Sequence, residues 1–185
     1  MLQKKIQALF HPERYHGWGK TKKYFEGWYY KIISADEKQA FAIIPGIAMD
    51  IDGQKHAFIQ ILDGTKQTAS YLKFPVNDFV SQAATFKTEI SGNIFTSNKL
   101  YLKHTTANGE LHFKNTVPWP NQWYSPGIMG PYAFVPLMEC YHGILSMDHE
   151  IQGSLEINNK TIDFTGGRGY IEKDWGHSFP SAYIW

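Results

Sequence analysis

Cysteine is almost missing from this chain: Cys140 is the only one in 185 residues. That excludes an internal disulfide framework and fits a reducing compartment, so the expected location is cytoplasmic. Long apolar runs are lacking too. None reaches the length needed to span a bilayer, and the leading MLQKKIQALF has too short an apolar stretch for a signal peptide. Neither sign of charge dominates. With 18 basic and 17 acidic residues the net charge is +1, which excludes the electrostatic footprint of a nucleic-acid binder. The lysines are scattered apart from Lys20, Lys22 and Lys23, and peripheral contact with a membrane is left open.

Familiar catalytic signatures are also missing. The chain has no GxxxxGK[ST], HExxH or CxxC. Gly166-Gly167-Arg168-Gly169 is not followed by a helical pattern and reads as a turn or bulge. Eight histidines lack metal-ligand spacing. Glu139 and His142 make an ExxH pair, but on a strand they point to opposite faces, so no metal centre is expected. Cys140, with no recognisable base partner, reads as a small core residue.

Aromatic residues are abundant: Phe, Tyr and Trp make up 16% of the chain, including 6 Trp. Strands favour such residues, and a strand-rich domain can also use them to line a cavity for an apolar ligand.

The hydrophobic pattern is that of a single all-β domain over residues 1–185. A lead-in over about 1–20 includes a short helix expected at Leu2–Phe10, ending before Pro12. Phe25–Ser34, Gln39–Met49 and Lys55–Leu62 read as long strands bounded by turn residues. Shorter strands are expected at Ser70–Phe74, Thr85–Ile90, Ile94–Thr96, Leu100–Thr105 and Glu110–Val117, with a type I′ hairpin at Asn108-Gly109. Leu137–Met147, Glu150–Ile157, Lys160–Phe164 and Tyr170–Trp175 follow, with a turn at Asn158-Asn159 and a last strand at Ala182–Trp185. So many short strands argue for an antiparallel meander closing into a barrel or strongly curved sheet. Residues 118–136 (PWPNQWYSPGIMGPYAFVP) carry too many Pro and Gly for a regular element. They read as a lid or plug, or as a loop that only covers the core. The chain stops on Tyr183-Ile184-Trp185, which suggests a cut strand or one that pairs with something absent, such as a second copy.

Residues with chemistry concentrate in Gly169–Pro180 (GYIEKDWGHSFP). On a strand, Tyr170, Glu172 and Asp174 share one face, and Ile171, Lys173 and Trp175 the other. Two carboxylates on one face are solvated surface charges or a pair in a pocket. In a pocket, burial and mutual repulsion raise the pKa of one, giving a carboxylic acid able to donate a proton near neutrality. Gly176 offers a bend that would aim Asp174 and Trp175 at one ligand. Glu26, Trp28, Tyr30 and Ile32 alternate onto one face of the first long strand. A carboxylate among such neighbours needs a partner, Arg168 or Lys173, unless it sits at a rim.

Four segments, Phe25–Lys31 (FEGWYYK), Ile44–Ile47 (IPGI), Met138–Ser146 (MECYHGILS) and Gly169–Pro180 (GYIEKDWGHSFP), resemble the tocopherol cyclase family in its own order. The resemblance implies a lipocalin-like β fold, related to that of carotenoid hydratases, in a longer protein with a further C-terminal β-rich half. It also implies cofactor-independent closure of a prenylated quinol to a chromanol. A protein acid protonates the trisubstituted alkene, the phenolic oxygen attacks the tertiary cation, and a base takes its proton. On that reading Asp174 is the acid, and Glu172 raises its pKa or serves as the base. Trp175, Tyr170 and Trp28 offer ring faces to the cation, while Tyr30, Glu26, Glu139 and His142 complete an apolar substrate site. Two other readings stay open: a non-catalytic lipocalin-like carrier of isoprenoids or lipids, and a carbohydrate-binding or hydrolysing module using Trp stacking and paired carboxylates.

Overall fold

A computed structural model describes residues 9–179. Twelve strands run in chain order: β1 Tyr24–Ile33, β2 Ala40–Met49, β3 Lys55–Asp63, β4 Thr68–Pro75, β5 Phe79–Ser81, β6 Lys87–Ile90, β7 Asn93–Thr96, β8 Lys99–His104, β9 Ala107–Lys114, β10 Cys140–Ile157, β11 Lys160–Asp163 and β12 Arg168–Gly176. Every pairing is antiparallel. The order β4-β3-β2-β1-β12-β10-β9-β8-β7-β6-β5 makes one sheet, with β11 added beside β10. The sheet curls but does not close, because β4 and β5 are its two edges, joined only by a 3-10 turn at Val76–Asp78. Residues 2–8 of the expected leading helix, and the expected strand Ala182–Trp185, lie outside the described residues. Of the expected helix, Leu9 has α-helical backbone and Phe10 lies in a turn; from residue 11 on, no α-helix forms among the described residues.

The inner face is filled with side chains. Trp28, Tyr30, Phe95 and Phe164 are fully buried. Tyr30 packs on Phe95 and Phe113 with ring centroids 6.0 and 5.9 Å apart, and Trp28 stacks on Phe86 at 5.8 Å. The aromatic load therefore builds a solid core, and burial of these large rings is the main favourable term of folding.

Two local expectations change. Asn108 and Gly109 do not make the hairpin turn; Thr105 and Thr106 do, and Gly109 sits inside β9 with φ +132°. Glycine is needed there because a Cβ would run into the Ser154 carbonyl of β10. The two strands expected over Leu137–Met147 and Glu150–Ile157 are one strand, β10, with register shifts between Ile144 and His149. The Asn158-Asn159 turn forms as expected, both residues having positive φ.

Residues 118–136 do not plug the barrel. They run over the start of β10 and the lead-in, with a 3-10 turn at Gly130–Phe134. The contacts are made by Asn121, whose side chain donates to the Phe10 carbonyl, and by Phe134, whose ring lies edge-on to Phe10. What fills the end of the curl is the lead-in: the Trp28 indole donates to the Glu13 carbonyl at 3.0 Å.

Candidate functional site

The alternation of β12 places the expected site residues on opposite faces of the sheet. Lys173 lies opposite Trp28, Ile171 opposite Tyr30 and Trp175 opposite Glu26, all on the inner side, whereas Glu172 lies opposite Tyr29 and Asp174 opposite Gly27 on the outer side. Trp28, Tyr30 and Glu26, each fully buried, therefore cannot share a pocket with the two β12 carboxylates. A strand's side chains alternate across the sheet, and no bend at Gly176 re-aims them, since the register runs unbroken to that residue. Gly176 has another purpose: a Cβ there would strike the backbone of Glu139 and Cys140.

On the inner side Glu26 has the partner its surroundings demand. Lys173 Nζ lies 2.5 Å from Glu26 Oε1, both side chains having no exposure. Glu26 also accepts from the His16 and Gly17 amides at 2.9 to 3.0 Å and from the Tyr24 hydroxyl at 2.5 Å. Burial alone would push Glu26 up, but the Lys173 charge and these donors hold its carboxyl below the usual range. Lys173 also donates to the Arg14 carbonyl and to His16 Nδ1, and lies over the Trp28 and Trp175 rings. Burial brings its amine down to about 8, against the pull of Glu26. This network pins the lead-in to the sheet.

On the outer side four titratable groups join. The His142 imidazole donates from Nδ1 to Asp174 Oδ1 at 2.8 Å, and its Nε2 lies 3.8 Å from Glu172 Oε2. The Tyr170 hydroxyl donates to that same oxygen at 2.5 Å. Burial pushes the Glu172 carboxyl up, and the Asp174 charge adds to this; Tyr170 and His142 oppose it without cancelling it. Burial would lower His142, but its bond to Asp174 and the two carboxylate charges raise it. The set can thus hold a proton on Glu172 or His142 closer to neutrality than either residue would alone, and can pass it between them.

Glu172 is buried, and its strand neighbours are apolar. Glu172 is flanked by Tyr29 on β1 and Ile144 on β10, both half-buried. Beside Asp174, Gly27 lies under Ile44 and Phe58, which a Cβ there would meet at 3.4 and 3.8 Å. Strand β2 (AFAIIPGIAM) carries no charge on either face, a pattern of strands covered on both sides. Around the rim, at the same end of β10 and β12, a cleft of about 450 Å³ is lined by Phe134, Leu137, Tyr141 and Trp175 among others, with no acidic residue in its wall.

Glu139 is exposed and precedes β10; its carbonyl receives the His177 and Ser178 amides, and its side chain takes no part in the outer-face set. Cys140 is not a core residue: it is half-buried with Sγ 3.9 Å from Asp174 Oδ1, and burial with that negative neighbour pushes its thiol up to about 12. Sequence reasoning missed His16, Tyr24 and Tyr29. Tyr29 and Tyr24 were legible as strand neighbours of named residues, but His16 reaches Lys173 only through tertiary folding. Among the described residues no group of three His, Cys, Asp or Glu is placed to hold a metal ion, and no helix is long and apolar enough to cross a membrane.

No family model matches the chain, and no curated protein matches it. Solved structures do. CghA crystallised with Sch210972 superposes with a TM-score of 0.53 at 11% identity, over 84% of this chain and 46% of that one. A second CghA structure gives 0.54 at the same identity and coverage. Kievitone hydratase from Nectria haematococca aligns over 91% of this chain and 53% of that one, at 11% identity and a TM-score of 0.37. At this identity the CghA likeness defines the fold, a lipocalin-like one, and this chain spans under half the length of that protein. The tocopherol cyclase resemblance rests on the four quoted segments alone.

Proposed function

We propose that the outer face of β1, β12 and β10 is an acid–base site for an apolar ligand, and that its reaction is proton-initiated ring closure of a prenylated quinol. The observation that carries this reading is the linked set Tyr170–Glu172–His142–Asp174, with Glu172 and His142 both raised, beside the uncharged side chains of Ile44 and Phe58 that pack over Gly27. The geometry favours exchanging the carboxylate roles expected from sequence. Glu172, whose carboxyl burial raises, gives its proton to the alkene, and a tertiary cation forms beside the Tyr29 and Tyr170 rings. The phenolic oxygen bonds to that carbon. Its proton returns to the carboxylate, directly or through His142, which Asp174 holds in orientation. Substrate and product are isomers, so no oxidant or cofactor enters the balance.

The test is incubation of the chain with a panel of prenylated benzoquinols and chromatographic detection of chromanol. Glu172→Gln is expected to lower turnover about 10²- to 10⁴-fold, the usual worth of a general acid. Asp174→Asn is expected to retain more activity while moving the alkaline limb of the pH profile to lower pH, because Glu172 loses the neighbouring charge that helps raise it. Full turnover by Glu172→Gln would refute the assignment. A second reading, a carrier of apolar molecules, is favoured by one observation: the 450 Å³ cleft is lined largely by apolar side chains and has no acid in its wall, its polar groups being His16, Lys20, Lys23 and His177. Quinol binding that quenches Trp175 without turnover in any variant would select it.

A further inference from the structure

The loop between β9 and β10 presents large apolar side chains to solvent on a scale that folding alone does not require. Trp123 is 80% exposed and Leu137 92%, and Tyr124, Tyr132, Phe134 and Val135 are exposed with them. Most of this patch is held in place: Phe134 packs on Phe10, the Tyr141 hydroxyl donates to the Val135 carbonyl, and Met129 sulfur accepts from the His142 amide. Leu137 keeps its side chain outward from a backbone with φ +65°, a conformation uncommon for a non-glycine residue and found where function maintains it.

The wall of the cleft beside the patch carries charge of one sign, with the exposed Glu139 outside it. The cleft that Phe134 and Leu137 line is also lined by Lys20, Lys23, His16 and His177, and by no Asp or Glu. Lys22 stands exposed between the two lysines. Amphipathic Trp and Tyr with an aliphatic tip and a basic rim form the combination that sits at the headgroup level of a bilayer. A protein partner of the same apolar character would gain nothing from a cationic rim unless it were itself acidic.

We infer that this loop, together with Lys20, Lys22 and Lys23, is a docking face for an anionic lipid surface. Trp123, Tyr132 and Leu137 enter the interface while the lysines lie over the headgroups. The inference stands apart from the acid–base reading, since none of these residues belongs to the outer-face set. Docking so would bring the mouth of the cleft to the lipid, the natural source of an apolar ligand.

Co-sedimentation with vesicles of phosphatidylcholine, with and without phosphatidylglycerol, tests it. Binding is expected to the anionic vesicles, weakening as salt screens the lysines. A Lys20→Glu/Lys22→Glu/Lys23→Glu variant should partition roughly tenfold less or worse. Trp123→Ser/Leu137→Asn, the second change suited to the positive φ, should lose binding while keeping the parent circular dichroism and melting. On binding, Trp fluorescence should shift to the blue in the parent and not in the Trp123 variant. Absence of vesicle binding by the folded parent overturns the inference, as does binding equal in the parent and both variants. So does a dimer, or a covering domain in a longer form of the protein, that protects Trp123 and Leu137 and leaves vesicles unbound.

Discussion

Removing either member of the Glu26–Lys173 pair should unfold the protein well before it alters any chemistry. Both side chains are fully buried and 2.5 Å apart, so a single neutral substitution leaves the other charge without its counterion in a low-dielectric site. That typically costs about 3–5 kcal/mol, or roughly 10 °C in melting temperature for a chain of this size. The two single variants differ in detail. Lys173→Met leaves Glu26 its two backbone amides and the Tyr24 hydroxyl, which places its cost near the lower end of the range. Glu26→Gln leaves a lysine whose amine is already down at about 8 and now lacks the carboxylate that sustained it. Its amine falls further, so the cost is greatest in acid, where the buried amine is forced to charge, and shrinks as pH rises. The double variant Glu26→Gln/Lys173→Met removes both charges and should recover most of the loss. Urea unfolding of the four proteins closes the cycle. A Lys173→Met variant within about 1 kcal/mol of the parent would refute the reasoning, as would a double variant no better than the sum of the singles.

Two further expectations concern the same sheet. His149 is fully buried against Phe113, and burial brings its imidazole down to about 4. The unfolded chain therefore binds a proton that the folded one does not as pH falls from the ordinary histidine value. Stability is full above that value and declines through this window by up to about 3 kcal/mol; in His149→Phe the decline should flatten, as thermal melts from neutral to acid pH would show. Gly46→Ala would press a Cβ against the Glu26 carbonyl and the Phe58 ring. It should cost about 1–3 kcal/mol or more and disturb the packing of Phe58 beside Asp174; a melting temperature equal to the parent's would contradict this.

The sequence alone determined what depends on a period of two. That Tyr170, Glu172 and Asp174 share a face, and that Glu26, Trp28 and Tyr30 share one, follows from strand geometry and is found in the fold. That Glu26 in an apolar row needs a cation was also legible, with Arg168 and Lys173 as candidates; the fold selects Lys173. Tertiary structure decided which face is inside. Alternation is symmetric about the sheet, and only the direction in which the strands curl makes Trp28 core and Glu172 a buried group of the outer face. For the same reason the site expected as one pocket divided into a structural ion pair on one side and a titrating set on the other. The lead-in could not be placed from sequence, since His16 meets Lys173 only when distant segments are brought together. Nor could the loop before β10 be read as exposed: its composition resembles that of a plug, and what holds it outward is contact with Phe10 and Tyr141, a matter of packing that no local pattern encodes.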